Sequence, residues 1–168
     1  MSLIPIVNLQ DEVIDYKDRL QLLNTDIYRV SALWVTNTKG DILLAQRAFT
    51  KSHSPGKWGP AVAGTVEKDQ TYLENVVIEA QEELGLTLNI DELTVGPKLL
   101  RKTKWTYFLQ VYLLTRDISI ENLILQKDEV ISIKWYSKEE LQRELVALPE
   151  KFLESVSKFY NELKDFQS

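Results

Sequence analysis

The chain contains no cysteine and one histidine, His53. Without thiols there are no disulfides, no thiolate nucleophile and no cysteine-ligated zinc, and a single imidazole excludes any site that needs two. No stretch approaches the roughly 18 uninterrupted apolar residues of a membrane span. The start of the chain carries no basic segment and Pro5 breaks its apolar run, so it does not read as a signal peptide. A basic excess is missing as well. Twenty Lys+Arg against 25 Asp+Glu leave a net charge of −5, which argues against sequence-independent binding of nucleic acid. The expectation is a soluble, cytoplasmic protein with neither a membrane nor a nucleic-acid partner. At 168 residues the prior is one domain, over 1–168. A domain of that size buries roughly 70% of its unfolded surface and needs no staple.

What is present alternates strand and helix signals. Leu3 to Asn8 and Glu12 to Tyr16 flank a turn and predict a β-hairpin, an N-terminal extension over 1–25. Ile27 to Val35 is β-branched and aromatic, and Asn37 to Asp41 is a turn before a strand from Ile42 to Gln46. Residues Ala48 to Pro60 read as a loop, and Ala61 to Gly64 as a short strand. Thr71 and Glu74 form a capping box for a helix reaching Leu84, with Gly85 where a left-handed residue is wanted. Thr94 to Leu99, Trp105 to Leu114 and Val130 to Tyr136 read as strands, the second apolar on both faces, which requires a sheet covered on both sides. Ser137 and Glu140 predict a second capping box, and Pro149 fits the first position of a final helix over 149–166. There Phe152, Val156, Phe159, Tyr160, Leu163 and Phe166 recur at helical spacing, for core packing or a homodimer surface. The fold class is α/β, an α/β/α sandwich.

Residues Gly64 to Leu86 carry the chemistry. At about 100° per residue, Leu73, Val77, Ala80 and Leu84 fall in one arc and Glu79, Glu82 and Glu83 in another. Like charges at these spacings destabilise an isolated helix by a few tenths of a kcal/mol per pair. A divalent cation reverses the sign, and carboxylates are the preferred ligands of Mg²⁺, which also favours phosphate oxygens.

This segment resembles the box of the Nudix hydrolases, Gly-x5-Glu-x7-Arg-Glu-U-x-Glu-Glu-x-Gly-U with U aliphatic. Gly64, Gln70, Ile78, Glu79, Ala80, Glu82, Glu83, Gly85 and Leu86 stand at its defined places. The departures are Gln70 for the first glutamate and Ile78 for the arginine. The flanks are similar too, in Gly40 to Arg47, in Ser54-Pro55-Gly56-Lys57-Trp58, and in Asp128 to Trp135 followed by Ser137 to Leu141. The leading hairpin with Asp11 to Ile14 is similar to the isopentenyl-diphosphate-isomerase-like branch.

The resemblance implies a Nudix-type α/β/α sandwich with a mixed sheet. It implies hydrolysis of a phosphoanhydride bond in a nucleoside-diphosphate-linked or other small-molecule diphosphate. In that picture Mg²⁺ or Mn²⁺ is held by Glu79, Glu82 and Glu83 with the Gly64 carbonyl, and Glu79 or Glu129 is the general base. Arg47 meets the substrate phosphates or pairs with a box carboxylate, and Trp58 stacks on the substrate or packs in the core. The two departures, Gln70 and Ile78, imply weak activity, because groups that orient metal ligands are worth 10–100-fold. A true isomerase is excluded, since that branch needs a cysteine and several histidines. The alternative to an enzyme is a non-catalytic module that binds a nucleotide or metabolite.

Overall fold

The computed structural model describes the backbone over 2–166 and side chains over 2–163. Strands β1 (Leu3–Val7) and β2 (Val13–Asp18) pair antiparallel, as the N-terminal pattern predicts. Seven further strands share one sheet: β3 (Ile27–Thr36), β4 (Ile42–Arg47), β5 (Trp58–Pro60), β6 (Val62–Thr65), β7 (Thr94–Lys102), β8 (Thr106–Thr115) and β9 (Val130–Tyr136). β3 lies parallel to β8 and antiparallel to β4 and β6, so the sheet is mixed. The registers around β3 splay apart: β4 joins it only at Val35 and Thr36, whereas β6 joins it from Val30 to Leu33. β4 continues away with β5 and β9 as neighbours.

Helix α1 (Tyr72–Leu84) covers one face. Its start is fixed by the expected box, in which Thr71 accepts from the Glu74 amide at 3.1 Å and Glu74 accepts from the Thr71 amide at 2.7 Å. Such a cap contributes about 1 kcal/mol. Gly85 ends the helix with φ +61°, where a side chain is strained. The core beneath α1 is built from Leu33, Val35, Leu43, Val76, Ala80 and Leu84.

Helices α2 (Lys138–Ala147) and α3 (Glu154–Phe166) cover the other face, over Trp34, Leu109, Val111 and Tyr136. Two helix-start expectations change here. Ser137 caps α2 by accepting from the Glu140 amide, but the Glu140 carboxylate goes to Lys134 at 2.6 Å, so the reciprocal half of the box is missing. Pro149 opens a 3-10 turn, Pro149–Lys151, and α3 begins at Glu154. The chain must first extend at Phe152, which bridges to Trp58, and the Leu153 amide donates to the Trp58 carbonyl at 2.8 Å. Val156, Phe159 and Leu163 then form the buried stripe, with Tyr160 partly buried. The side chain of Phe166, part of the same expected stripe, lies outside the described residues. No helix among the described residues is long and apolar enough to cross a membrane.

Candidate active site

The site begins where β6 meets α1. Register with β3 sets Gly64 opposite Ser31, and a Cβ on Gly64 would run into the Glu79 carboxyl group. Only glycine lets that carboxylate lie against the strand. The connection is short and tied internally. The Gln70 side-chain oxygen accepts from the Glu67 amide at 3.1 Å and from Asn75 Nδ2 at 3.0 Å. Asn75, 1% exposed, also donates to the Thr65 carbonyl at 3.1 Å and accepts from the Ser31 hydroxyl at 2.5 Å. Gln70 thus fills the place of the missing box glutamate as a fastener of the loop. Sequence reasoning missed Ser31 and Asn75, and the available signal was an amide one helical turn before Glu79.

The three helix carboxylates are not equivalent. Glu82 is exposed, Glu79 is half-buried, and Glu83 is only 8% exposed. Burial pushes the Glu79 carboxyl up to about 7, and the Glu82 and Glu129 charges add to this. Burial pushes Glu83 up to about 8, with Glu79 and Glu129 adding, against Lys51 and the Ala63 backbone amide. The acidic arc therefore turns inward on one side, because Glu79 and Glu83 border the apolar arc that the sheet covers.

The loop before β9 brings Glu129 to this side. The Ile124 amide donates to the Leu84 carbonyl and the Gln126 amide to the Glu83 carbonyl, both at 2.9 Å, so the loop hangs on the end of α1. Glu129 forms an ion pair with Lys51. Arg47 ends β4 and donates through Nε to the His53 carbonyl at 3.1 Å. Burial lowers the pKa of Arg47, opposed by Glu83 and Glu129, so its charge faces the acidic cluster. Among the described residues it makes no direct ion pair with a box carboxylate. Its terminal nitrogens are therefore not committed to Glu79, Glu82 or Glu83.

Gly64, Glu79, Glu83, Glu129 and Arg47 thus come together, with Glu82 on the outer side of the same helix. Trp58 does not join them. β5 zips onto β4, with Trp58 opposite Gln46, and its ring is 9% exposed against Tyr136 at 5.8 Å, in the core below α3. His53 leans edge-on against Trp105 at 5.9 Å, and Tyr107 stands 5.6 Å from Tyr28.

Among the described residues no three acidic or imidazole groups converge as a ready-made metal cage. The chemistry of the donors nonetheless fits a hard divalent ion. Glu79 and Glu83 are desolvated, repel each other and have no cationic side chain in ion-pair contact among the described residues. All-oxygen donors of this kind suit Mg²⁺ or Mn²⁺.

The chain is similar to known proteins over most of its length. The family model described as NUDIX domain matches residues 27–156. An uncharacterized Nudix hydrolase of Listeria monocytogenes, lmo0368, is 28% identical over 122 residues, covering 70% of this chain and 68% of that protein. An isopentenyl-diphosphate Delta-isomerase of Salmonella paratyphi B is 30% identical over 66 residues, 39% of this chain and 36% of that protein. The crystal structure of DR0079 from Deinococcus radiodurans superposes with a TM-score of 0.70 at 27% identity, covering 87% of this chain and 90% of that one.

Proposed function

Because the chain belongs to the Nudix hydrolase family, we propose that it hydrolyses a phosphoanhydride bond in a nucleoside-diphosphate-linked or related small-molecule diphosphate. The reaction takes place at Glu79, Glu82, Glu83 and the Gly64 carbonyl with Mg²⁺ or Mn²⁺. The observation that carries the reading is the pair Glu79 and Glu83, half-buried and buried, beside a glycine whose missing side chain leaves room for the Glu79 carboxyl group. A bound divalent ion would neutralise phosphate oxygens and lower the pKa of a coordinated water.

The chain's own groups do the rest. Arg47, held through Nε by the His53 carbonyl, offers its terminal N–H groups to a phosphate, the bidentate geometry that guanidinium favours. Of the two candidate bases, Glu129 is engaged by Lys51. That leaves Glu79, which has no ion-pair partner among the described residues, as the carboxylate free to take a proton from water. With Ile78 where the family carries arginine, the exposed Glu82 lacks a fixed partner, and turnover is slow.

The test is a panel of nucleoside-diphosphate compounds with Mg²⁺ or Mn²⁺, read as release of phosphate or a nucleoside monophosphate. Glu83→Gln is expected to lower turnover at least about 100-fold, the upper end for disturbing a metal's surroundings. Tight ligand binding without turnover at any metal concentration would overturn the enzymatic reading in favour of a binding module.

A further inference from the structure

Away from the box, two N–H donors are buried with no acceptor among the described residues, Arg101 Nε and Trp105 Nε1. Arg101 is 5% exposed, and among the described residues no carboxylate pairs with it. An uncompensated buried charge is strongly unfavourable, so a missing acceptor at such a site calls for a ligand that supplies one.

The strand partner of Arg101 leads toward Arg47, whose charge Tyr107 also influences. Arg101 near the end of β7 stands opposite Tyr107 in β8, and Tyr107 stands opposite Tyr28 in β3. The two tyrosine rings are 5.6 Å apart. Trp105, at the turn that joins β7 to β8, packs edge-on against His53, the residue whose carbonyl holds Arg47. Trp105, two residues before Tyr107, is thus joined through His53 to the Arg47 loop, and Arg101 is joined through Tyr107 to the sheet.

We propose that Arg101 and Trp105 form an anion subsite beside the Arg47 end of the candidate active site. It takes a phosphate or carboxylate group that the substrate carries beyond the bond to be cleaved. This rests on the reading of the candidate active site as the place where the substrate binds. It narrows the substrate from any diphosphate to one with a second anionic group, because a neutral sugar or alcohol would leave the guanidinium unpaired. The guanidinium supplies a planar fork for two oxygens, and the indole a single donor.

The test uses the full chain with metal chelated, so an inactive box cannot imitate its failure. Inorganic phosphate and malonate are the probes, titrated by calorimetry at constant ionic strength. At least one probe is expected to bind, and Arg101→Met is expected to weaken it at least about tenfold, while Trp105→Phe weakens it less. Preference for phosphate identifies a phosphorylated substrate, and preference for malonate a carboxylated one. Binding decides the matter whichever way thermal stability moves. If neither probe binds, or if Arg101→Met binds both as wild type does, the subsite is overturned. Should Arg101→Met fail to fold, unchanged affinity in Trp105→Phe overturns it equally.

Discussion

Helices α1 and α3 each run 13 residues, and each lays a stripe on one face of the same sheet. The stripe of α3 is wholly apolar where described, with Val156 and Phe159 at 0% and Leu163 at 2% exposure. Phe159 meets Trp34 edge-to-face at 6.0 Å. Helix α1 buries Val76, Ala80 and Leu84 as completely, but on the flank of that stripe it also buries Asn75 and Glu83. An amide can be satisfied inside a protein, and Asn75 is, through Ser31, Thr65 and Gln70. A carboxylate buried beside another keeps an uncancelled repulsion, even with the Ala63 amide donating to Glu83. The contrast separates a helix selected for packing from one that gives up stability to hold charge.

The largest effect expected from this contrast is in α3. Phe159→Ala removes a fully buried ring and leaves a cavity, for a loss of about 3–5 kcal/mol. Chemical denaturation should show it, while the turnover of the folded fraction stays unchanged because no box residue touches that ring. A turnover loss of the folded fraction comparable to that of Glu83→Gln would mean that the two faces are not separable.

In α1 the sign reverses. Glu79 and Glu83, raised to about 7 and about 8, keep their protons in the native state at pH values where the unfolded chain, titrating near 4.3, has released them. Between those limits the native state binds more protons than the unfolded one, so metal-free stability falls as pH rises from about 4.5 through 8. Thermal melts in chelator should show this fall, and Mg²⁺ should shrink it by stabilising the ionised form. Glu83→Gln should flatten the slope and raise the melting temperature at pH 8, by on the order of 1 kcal/mol or about 2–4 °C. A destabilised Glu83→Gln at pH 8 without metal would show that Glu83 is a structural residue.

The same contrast explains what could be read from the sequence. The Thr71 and Glu74 cap, the Gly85 stop, the N-terminal hairpin and the apolar rows are local patterns, and local chemistry suffices for them. The box glutamates were legible because their spacing is fixed by one helix. Of the two readings of Trp58 the structure shows core packing, but Ala48 to Pro60 reads as a loop because nothing near it in sequence announces that three residues, Trp58–Pro60, will pair with β4 and draw the ring under α3. Pro149 was misplaced for a related reason: contact with Trp58 extends Phe152 and delays the helix. Ser31, Asn75 and Arg101 carry no pattern of their own. Each acquires meaning only from what the fold sets beside it, or, for Arg101, from what it fails to set there.

The smallest expected effect probes the outer flank of α1, where Ile78 is 39% exposed. One turn on, Glu82 is exposed and has no fixed partner among the described side chains. Ile78→Arg would place a guanidinium at i,i+4 from Glu82, worth about 0.3–0.5 kcal/mol as a surface pair. Stability should barely move. The affinity for Mg²⁺ is the informative reading. If Glu82 contributes an oxygen to the ion, orienting it should tighten binding by up to about tenfold, visible by calorimetry, and turnover should rise with it. Equal Mg²⁺ affinity in both proteins would show that Glu82 stays in solvent. The ion would then rest on the two buried carboxylates and the Gly64 carbonyl alone, and the slow turnover would have to be traced to the inner flank of the helix, where Gln70 holds Asn75 in place of a charge.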